Sequence, residues 1–183
     1  MNGNNLDDHR KDGVIIENTY GSVLSGNMIE ECEGIAVILD RDCYGITISA
    51  NVIAHNAGGG VDLRDAWGCT VSANTFTIDN HFGLRIGPEA GRIVVTGNSF
   101  SNSYVGGKQK FDGPAGGIVL QETADNVISG NLFSGLIGQA VMATGSCQRL
   151  AITGNLTVDL NRKSKDRRPA LDVGQAQKIL DRQ

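Results

Sequence analysis

The sequence predicts an all-β solenoid in which the chain winds through about seven stacked coils of short parallel strands. Three observations predict this fold: a corner dipeptide that recurs along the chain, apolar residues at alternate positions around it, and a further apolar strand earlier in each repeat. A leucine-rich or helical repeat is the rival. It is disfavoured because no segment shows ten residues with apolar spacing of 3.6.

The corner dipeptide is a small residue followed by asparagine. Successive asparagines lie 23, 24, 23, 24, 33 and 24 residues apart. Gly and Asn tolerate the left-handed backbone of a tight bend, so each dipeptide predicts a corner. Stacked about 4.8 Å apart, the asparagines are expected to bond to one another as a ladder. The dipeptides are Gly3-Asn4, Gly26-Asn27, Ala50-Asn51, Ala73-Asn74, Gly97-Asn98, Gly130-Asn131 and Gly154-Asn155.

Apolar residues recur on both sides of each corner with the period of two that indicates a strand buried on one face. Three residues before the asparagines stand Leu24, Ile48, Val71, Val95, Ile128 and Ile152. Two residues after them stand Leu6, Ile29, Ile53, Phe76, Phe100, Phe133 and Thr157. A third strand is predicted earlier in each repeat, at residues 14–16, 37–39, 61–63, 84–86, 118–120 and 140–142. Three strands in about 24 residues make one coil.

Units such as Ile48-Ser49-Ala50-Asn51-Val52-Ile53 resemble the right-handed, single-stranded parallel β-helix of the pectin-lyase-like superfamily. The resemblance covers residues 1–160. It implies polysaccharide as the ligand class, a groove on the outward face of the early strands and an extracytoplasmic location. It leaves the activity open, because that superfamily includes lyases, hydrolases, epimerases and proteins without catalysis.

The chain is expected to form one β-helix domain over residues 1–160, followed by a basic tail over residues 161–183. In the tail we expect a strand at 171–173 and then a short helix with Ala176, Ile179 and Leu180 on one face, which would cap the last coil. The alternative is a solvated charged stretch. The 33-residue spacing marks an insertion, residues 101–116, that lines a ligand groove or is a tolerated surface loop.

Charge and cysteine content narrow the range of partners. Residues 1–160 hold 17 acidic and 9 basic residues, which argues against nucleic acid as partner. This charge also opposes a polyanionic sugar, unless a cation or a local basic patch intervenes. No signal-peptide pattern and no long apolar run is present, so no membrane span is predicted. Cys32, Cys43, Cys69 and Cys147 are not placed to pair, and Cys69 is expected in the core.

The first recognisable corner is at residue 4, with no capping helix before it. Because solenoids need capped ends, we expect the sequence to be the C-terminal part of a longer β-helix. The alternative is a short protein that pairs through its open end.

Alternation along the early strands predicts an outward face that carries charged side chains. One outward column contains Asp62 and Arg85, and we align Val119 with Val141 in it; vertical neighbours should lie about 5 Å apart. The residues of this face that we consider candidates for catalysis are Glu17, Asp40, Asp62, Arg64 and Arg85.

These residues allow two kinds of chemistry. Glu17 and Asp40 could act as the acid and base of a retaining glycosidase, at about 5 Å, or Asp40 and Asp62 as those of an inverting one, at roughly 6.5–9.5 Å. By the resemblance, the carboxylates could instead bind calcium while Arg64 or Arg85 acts on a uronate proton. The alternative is that Asp62–Arg85 and Asp40–Arg64 are surface ion pairs. The Gly-His-Gly motif of polygalacturonases and the Asp-Pro-His-Glu motif of alginate epimerases are missing.

Other residues are candidates for contacting a substrate. Tyr20, Tyr44 and Trp67 share a column and form a platform for sugar rings or a self-stacking ladder. The remaining candidates are Tyr104 and Lys108 in the insertion and His81 before a strand; His81 and His55 could act as general bases or be solvated. No spaced cluster of Cys and His predicts a metal site.

The sequence therefore predicts a carbohydrate-active β-helix protein that binds or cleaves a polysaccharide, as a hydrolase or lyase. The alternative is a non-catalytic structural or carbohydrate-binding module. Three or more converging groups in a walled cleft would favour an enzyme, whereas a flat, salt-bridged surface would favour the module.

Overall fold

The computed structural model describes residues 1–102, 104, 113–160, 169–173 and 180–182. Within these ranges the regular elements are strands, and no helix is long and apolar enough to cross a membrane. In chain order the strands are β1 (Asn5–Asp7), β2 (Val14–Glu17), β3 (Val23–Ser25), β4 (Met28–Glu30), β5 (Ile35–Asp40), β6 (Cys43–Tyr44), β7 (Thr47–Ser49), β8 (Val52–Ala54), β9 (Gly59–Leu63), β10 (Ala66–Trp67), β11 (Thr70–Ser72), β12 (Thr75–Thr77), β13 (Leu84–Ile86), β14 (Val94–Thr96), β15 (Ser99–Ser101), β16 (Ile118–Gln121), β17 (Val127–Ser129), β18 (Leu132–Ser134), β19 (Val141–Thr144), β20 (Ala151–Thr153), β21 (Leu156–Val158), β22 (Leu171–Asp172) and β23 (Leu180–Arg182).

The strands form three parallel sheets that run the length of the molecule. Sheet A has the order β3-β7-β11-β14-β17-β20-β23, sheet B the order β1-β4-β8-β12-β15-β18-β21, and sheet C the order β2-β5-β9-β13-β16-β19-β22. Strands β6 and β10 form a short fourth ribbon at the corner between sheets C and A. Each coil contributes one strand to each long sheet, so the predicted parallel solenoid of about seven coils is confirmed.

The seven corner asparagines form a continuous ladder between sheets A and B. Asn27 donates its side-chain amide to Asn51 Oδ1 at 2.9 Å, and the same bond recurs from Asn51 to Asn74 at 2.9 Å and from Asn74 to Asn98 at 3.0 Å. The ladder extends to Asn4 at one end and Asn155 at the other. The asparagine ladder predicted from the repeat is therefore present over its full length.

The left-handed residue at each corner is the small one, not the asparagine. Gly26 and Gly97 have φ of 63° and 65°, and Ala50 and Ala73 both have φ of 54°. An alanine in this conformation costs roughly 1–2 kcal/mol, so the hydrogen bonds of the ladder hold these corners against strain. The asparagine supplies side-chain hydrogen bonds and the residue before it supplies the turn.

Apolar residues fill the interior in stacked columns. The rings of Phe76 and Phe100 are parallel with centroids 4.5 Å apart, and those of Phe100 and Phe133 are 5.0 Å apart. Gly83 makes room for this stack, because a Cβ at that position would lie 2.6 Å from the Phe100 ring. The four cysteines are free, and all of them are buried, including Cys69, which was expected in the core.

The tail contributes strands to the solenoid. Strand β22 pairs with β19 in sheet C, which confirms the predicted strand near residue 171, and β23 pairs with β20 in sheet A. The predicted C-terminal helix is wrong at Leu180, because its backbone is extended and bonded to the sheet edge. Ala176 and Ile179 lie outside the described residues, and the capping role of the tail stays a prediction.

The ladder generates a first test of stability. Asn74 donates to Asn98 Oδ1 and to the Ile48 carbonyl, and its Oδ1 accepts both the backbone N–H and the side-chain amide of Asn51. Asn74→Ala leaves these buried groups without hydrogen-bond partners. We therefore expect it to lower the free energy of unfolding by about 3 kcal/mol in urea denaturation. The exposed terminal variant Asn4→Ala should cost less than about 1 kcal/mol. If the two variants lost equal amounts of unfolding free energy, the buried asparagines would not stabilise the fold more than the exposed one, which would contradict this account.

Candidate functional site

The outward face of sheet C carries the candidate charged residues in register. The outer column, defined as the outward residues that pair in register along the strands of sheet C, consists of Ile15, Ile38, Asp62, Arg85, Val119, Met142 and, on the short strand β22, Asp172. The predicted equivalence of Val119 and Val141 is wrong by one residue, since Val119 pairs with Met142 and Val141 lies in the core. Met142 lies 11 residues after the corner Asn131, just as Arg85 lies 11 residues after Asn74, so the coil has its ordinary length and the predicted strand was placed one residue too early.

Asp62 is the centre of an ion-pair network. Its Oδ2 accepts a hydrogen bond from Arg64 Nε at 2.7 Å, and its Oδ1 accepts one from Arg85 Nε at 2.7 Å. Arg85 Nη2 also donates to Asp62 Oδ2. Arg64 Nη1 lies 3.6 Å from Asp40, so charges alternate along Asp40, Arg64, Asp62 and Arg85. The two predicted ion pairs are present as parts of one network.

Asp62 is not exposed, although it lies on the outward face as predicted. Its exposed fraction is 0%, and its neighbour in the outer column, Ile38, is also buried at 1%. The guanidinium of Arg85 lies over the ring of Phe82, 4.8 Å from its centroid. Both oxygens of Asp62 are bonded to guanidinium groups, so Asp62 positions Arg64 and Arg85 and has no oxygen available to a substrate proton.

The other two carboxylates are also paired with arginine. Glu17 lies beside Asp40 in the register, as predicted, but its partner is Arg41, whose Nη1 is 3.4 Å from Glu17 Oε2. The hydrogen bond to Asp62 holds the pKa of Arg64 above its ordinary value, so Arg64 stays charged. Arg41 was missed in the sequence, although its position next to Asp40 and one coil beyond Glu17 is visible there.

A pocket of about 460 Å³ lies on the same outward face, two coils beyond Asp62. Val119 and Met142 of the outer column form part of its lining, and Arg85 is the register neighbour of Val119. The pocket is lined by Asn80, His81, Pro114, Ala115, Gly116, Gly117, Ile118, Val119, Ile137, Gly138, Gln139 and Met142. The end of the insertion therefore lines a pocket, and His81 lies on it.

The predicted aromatic column is in register but is stacked on itself. The rings of Tyr20 and Tyr44 are nearly parallel with centroids 5.5 Å apart, and Trp67 pairs with Tyr44 in the next coil. Stacked rings cover each other's faces, which leaves ring edges and the outer face of Tyr20, 65% exposed, for a ligand. A hydrogen bond from Tyr44 to Asp42 raises the pKa of Tyr44. The self-stacking alternative thus describes Tyr20 and Tyr44.

The remaining substrate candidates lie close to the insertion or outside the described residues. Tyr104 donates its backbone N–H to Asn102 Oδ1 at 3.1 Å and is half-buried. His55 is half-buried and has its own partner, away from the pocket lining. Lys108 lies outside the described residues. Phe82, Gln139 and Met142 escaped the sequence analysis because their roles arise from contacts between residues of different coils.

The described residues do not offer a metal site. Among them no group of three or more His, Cys, Asp and Glu side chains could hold a metal ion, and every His, Cys and Met of the sequence lies within the described ranges. Burial raises the pKa of the thiols of Cys32, Cys43 and Cys69, which disfavours the thiolate form that binds metals. Glu17, Asp40 and Asp62, the carboxylates of the outward face that were considered for calcium, are each paired with arginine.

The stacked coils and the asparagine ladder define a parallel β-helix repeat protein. Residues 60–166 match the family described as Right handed beta helix region, and residues 1–111 match the family described as Periplasmic copper-binding protein (NosD). Each match spans more than half of the chain, so the chain belongs to both of these overlapping families. The NosD description names copper, and the described residues hold no group of three or more His, Cys, Asp and Glu side chains that could bind a metal ion.

Two solved structures of similar fold are of the same enzyme. DFA-IIIase from Arthrobacter chlorophenolicus A6 in complex with GF2 matches with a TM-score of 0.54 and 14% identity, over 84% of this chain and 46% of that chain. The same enzyme without its lid matches with a TM-score of 0.52 and 14% identity, over 90% and 47%. This likeness shows the fold alone, and the chain spans about half the length of these structures. No curated protein matches the chain significantly.

The network around Asp62 generates a test that separates its buried and exposed ion pairs. Asp62→Asn removes the charge that two guanidinium groups share, so we expect the free energy of unfolding to fall by about 2 kcal/mol. Glu17→Gln removes a solvated pair with Arg41 and should cost no more than about 0.5 kcal/mol. Urea denaturation of both variants provides the measurement. An unfolding free energy that is unchanged in Asp62→Asn would show that the network contributes nothing to stability.

Proposed function

We propose that this protein binds an uncharged polysaccharide or oligosaccharide along the outward face of sheet C, with one sugar unit in the pocket over Val119 and Met142. The observation that carries the proposal is the continuity of this pocket with the outer column that holds Asp62 and Arg85. The resemblance to the pectin-lyase-like superfamily implies a polysaccharide on this same face. A β-helix of the same fold, DFA-IIIase, is described in complex with GF2.

The size and lining of the pocket suit a sugar ring. A volume of about 460 Å³ lies within the range of small-ligand sites, roughly 300–1,000 Å³. The lining combines apolar side chains such as Pro114 and Ile137 with three polar ones, Asn80, His81 and Gln139. A sugar has an apolar ring face and hydroxyl edges, so both kinds of lining find a partner. Among the described residues that line the pocket, none is an aspartate, glutamate, lysine or arginine, which favours an uncharged ligand.

Arg85 supplies a hydrogen-bonding group at the edge of the pocket. Its described bonds to Asp62 use Nε and Nη2, and Nη1 takes no part in them. The side chain is 31% exposed and is held by Asp62 and by the Phe82 ring, so little conformational entropy is lost when it binds a hydroxyl group. Arginine fixed in this way is a suitable donor for a neighbouring sugar unit.

The geometry supports binding over cleavage on this face. A glycosidase needs one carboxylic acid to protonate the leaving group and a second carboxylate to act as base or nucleophile. Glu17, Asp40 and Asp62 are each paired with an arginine, so none of them is a free carboxyl group on this face. Arg64 is a poor base, because its pKa is raised. We therefore favour the carbohydrate-binding module over the hydrolase or lyase.

A substitution that fills the pocket tests the binding proposal. A Cβ at Gly138 would meet nothing within 4 Å, so Gly138→Phe places a ring in the pocket without disturbing the backbone. We expect the wild type to bind at least one neutral polysaccharide in affinity electrophoresis and Gly138→Phe to bind it at least about tenfold more weakly. Val127→Phe, at an exposed position of sheet A, is the matched control and should bind normally.

The panel should also contain acidic polysaccharides, with and without calcium, and should be assayed for new reducing or unsaturated ends. Absence of binding to every member, or binding that Gly138→Phe leaves unchanged, would overturn the proposal. Cleavage products that disappear in Arg85→Ala would show that the face is catalytic.

A further inference from the structure

Asp79 is a buried acid with one oxygen that has no hydrogen-bond partner. It lies two residues after β12 and is 1% exposed. Its Oδ1 accepts the backbone N–H of Asn56 at 3.2 Å and the side-chain amide of Asn56 at 2.8 Å. Its Oδ2 is buried without any partner. Burial raises the pKa of Asp79 well above its ordinary value.

Asp79 occupies a position that an asparagine fills in the preceding coil. Asn56 accepts the Cys32 N–H with Oδ1 at 3.1 Å, and it donates its amide to Asp79 and to the Ile29 carbonyl at 3.3 Å. Ile29 pairs in register with Ile53, so the group equivalent to the Ile29 carbonyl for position 79 is the Ile53 carbonyl. An amide at position 79 would donate to it, whereas a carboxyl group can donate only when it is protonated.

We propose that Asp79 is a proton-dependent switch beneath the pocket: protonated, it donates to the Ile53 carbonyl and holds the pocket wall, and ionised, it releases that wall. This switch is a property of the fold beyond the proposed sugar binding. An ionised oxygen at this position would be buried without a donor and would face a carbonyl, an arrangement that costs free energy on both counts.

The backbone at Asp79 joins two sides of the pocket. Asn80 and His81 follow it directly and line the pocket. The Asn80 N–H donates to the Asn56 carbonyl at 3.0 Å, and the Asp79 carbonyl accepts the N–H of Gly116, another lining residue, at 2.9 Å. Loosening of residue 79 would therefore move both the segment before β13 and the end of the insertion.

No fixed positive charge compensates Asp79 on the described segments packed against it. The titratable groups there are Cys32 and His55 on the two preceding coils and His81 on the same loop, and residues 113–117 carry none. None of these groups is a lysine or arginine. Ionisation of Asp79 is therefore opposed by burial without compensation from an ion pair.

The direction of the pH dependence follows from the raised pKa. The folded protein keeps the Asp79 proton at pH values where the unfolded chain has lost it, so folding takes up a proton in that range. The stability that protonated Asp79 contributes is fully present below the pKa that Asp79 has in the unfolded chain. It is lost as the pH rises through the pKa that Asp79 has in the folded protein. Asp79→Asn supplies a permanent donor and should remove this loss.

The experiment is urea unfolding of wild type and Asp79→Asn between about pH 4 and pH 9. In the window above the unfolded pKa, the unfolding constant of the wild type should rise relative to that of Asp79→Asn by up to about tenfold per pH unit. Asp125→Asn is the matched control. The Arg149 hydrogen bond lowers the pKa of Asp125, so its contribution is lost only as the pH falls, and this variant should run parallel to the wild type above about pH 5.

A local measurement separates the switch from a general effect on stability. Amide hydrogen-exchange protection of Asn80 and Gly116, corrected for intrinsic rates, should decrease with rising pH in the wild type and stay constant in Asp79→Asn. Parallel unfolding curves for these two proteins, or a lower stability of Asp79→Asn at the upper end of the range, would overturn the proposal. Because neither measurement uses a sugar, failure here is independent of failure of the proposed function.

Discussion

Buried asparagine side chains tie each coil of this protein to the next, and the alignment of every other column depends on them. Each side-chain amide of Asn51, Asn74 and Asn98 donates to a backbone carbonyl of the preceding coil, and its Oδ1 accepts the backbone and side-chain N–H groups of the asparagine in that coil. This network fixes the stagger between coils, because a slipped coil would leave several buried polar groups without partners. The parallel rings of Phe76 and Phe100 and the outward network of Asp62 follow from the same alignment.

Sheet C uses this alignment to place polar and apolar groups along one face. At one end, Asp62 holds Arg64 and Arg85 in fixed positions and is itself covered by them. At the other end, loops from three coils surround Val119 and Met142 to form a pocket. The regular strands set the spacing of the face, and the irregular loops create its concave part. This division of roles explains how a repetitive scaffold acquires one localised site.

Repeated local signals made the fold predictable, whereas the site depends on contacts that do not repeat. The recurring small residue and asparagine placed the corners, and the alternation around Ile48 and Ile53 placed the strands, because each column is sampled once per coil. Burial of Asp62 could not be predicted, since it requires the long side chains of Arg64 and Arg85 to fold over it. The spacing of apolar residues near Leu180 indicated a helix. Instead, Leu180 lies in a strand that pairs with the edge of sheet A, whose backbone groups would otherwise be unpaired. The pocket combines residues far apart in sequence, which no local pattern encodes.

Hydrogen exchange of the asparagine side chains tests the central claim most directly. If the ladder aligns the coils, the side-chain amide protons of Asn51, Asn74 and Asn98 will exchange many times more slowly than those of the exposed Asn5, as followed by NMR. Strong protection of all three amides would establish the ladder in solution. Exchange of the three as fast as that of Asn5 would contradict the ladder, and with it the alignment of the outer column and the site built upon it.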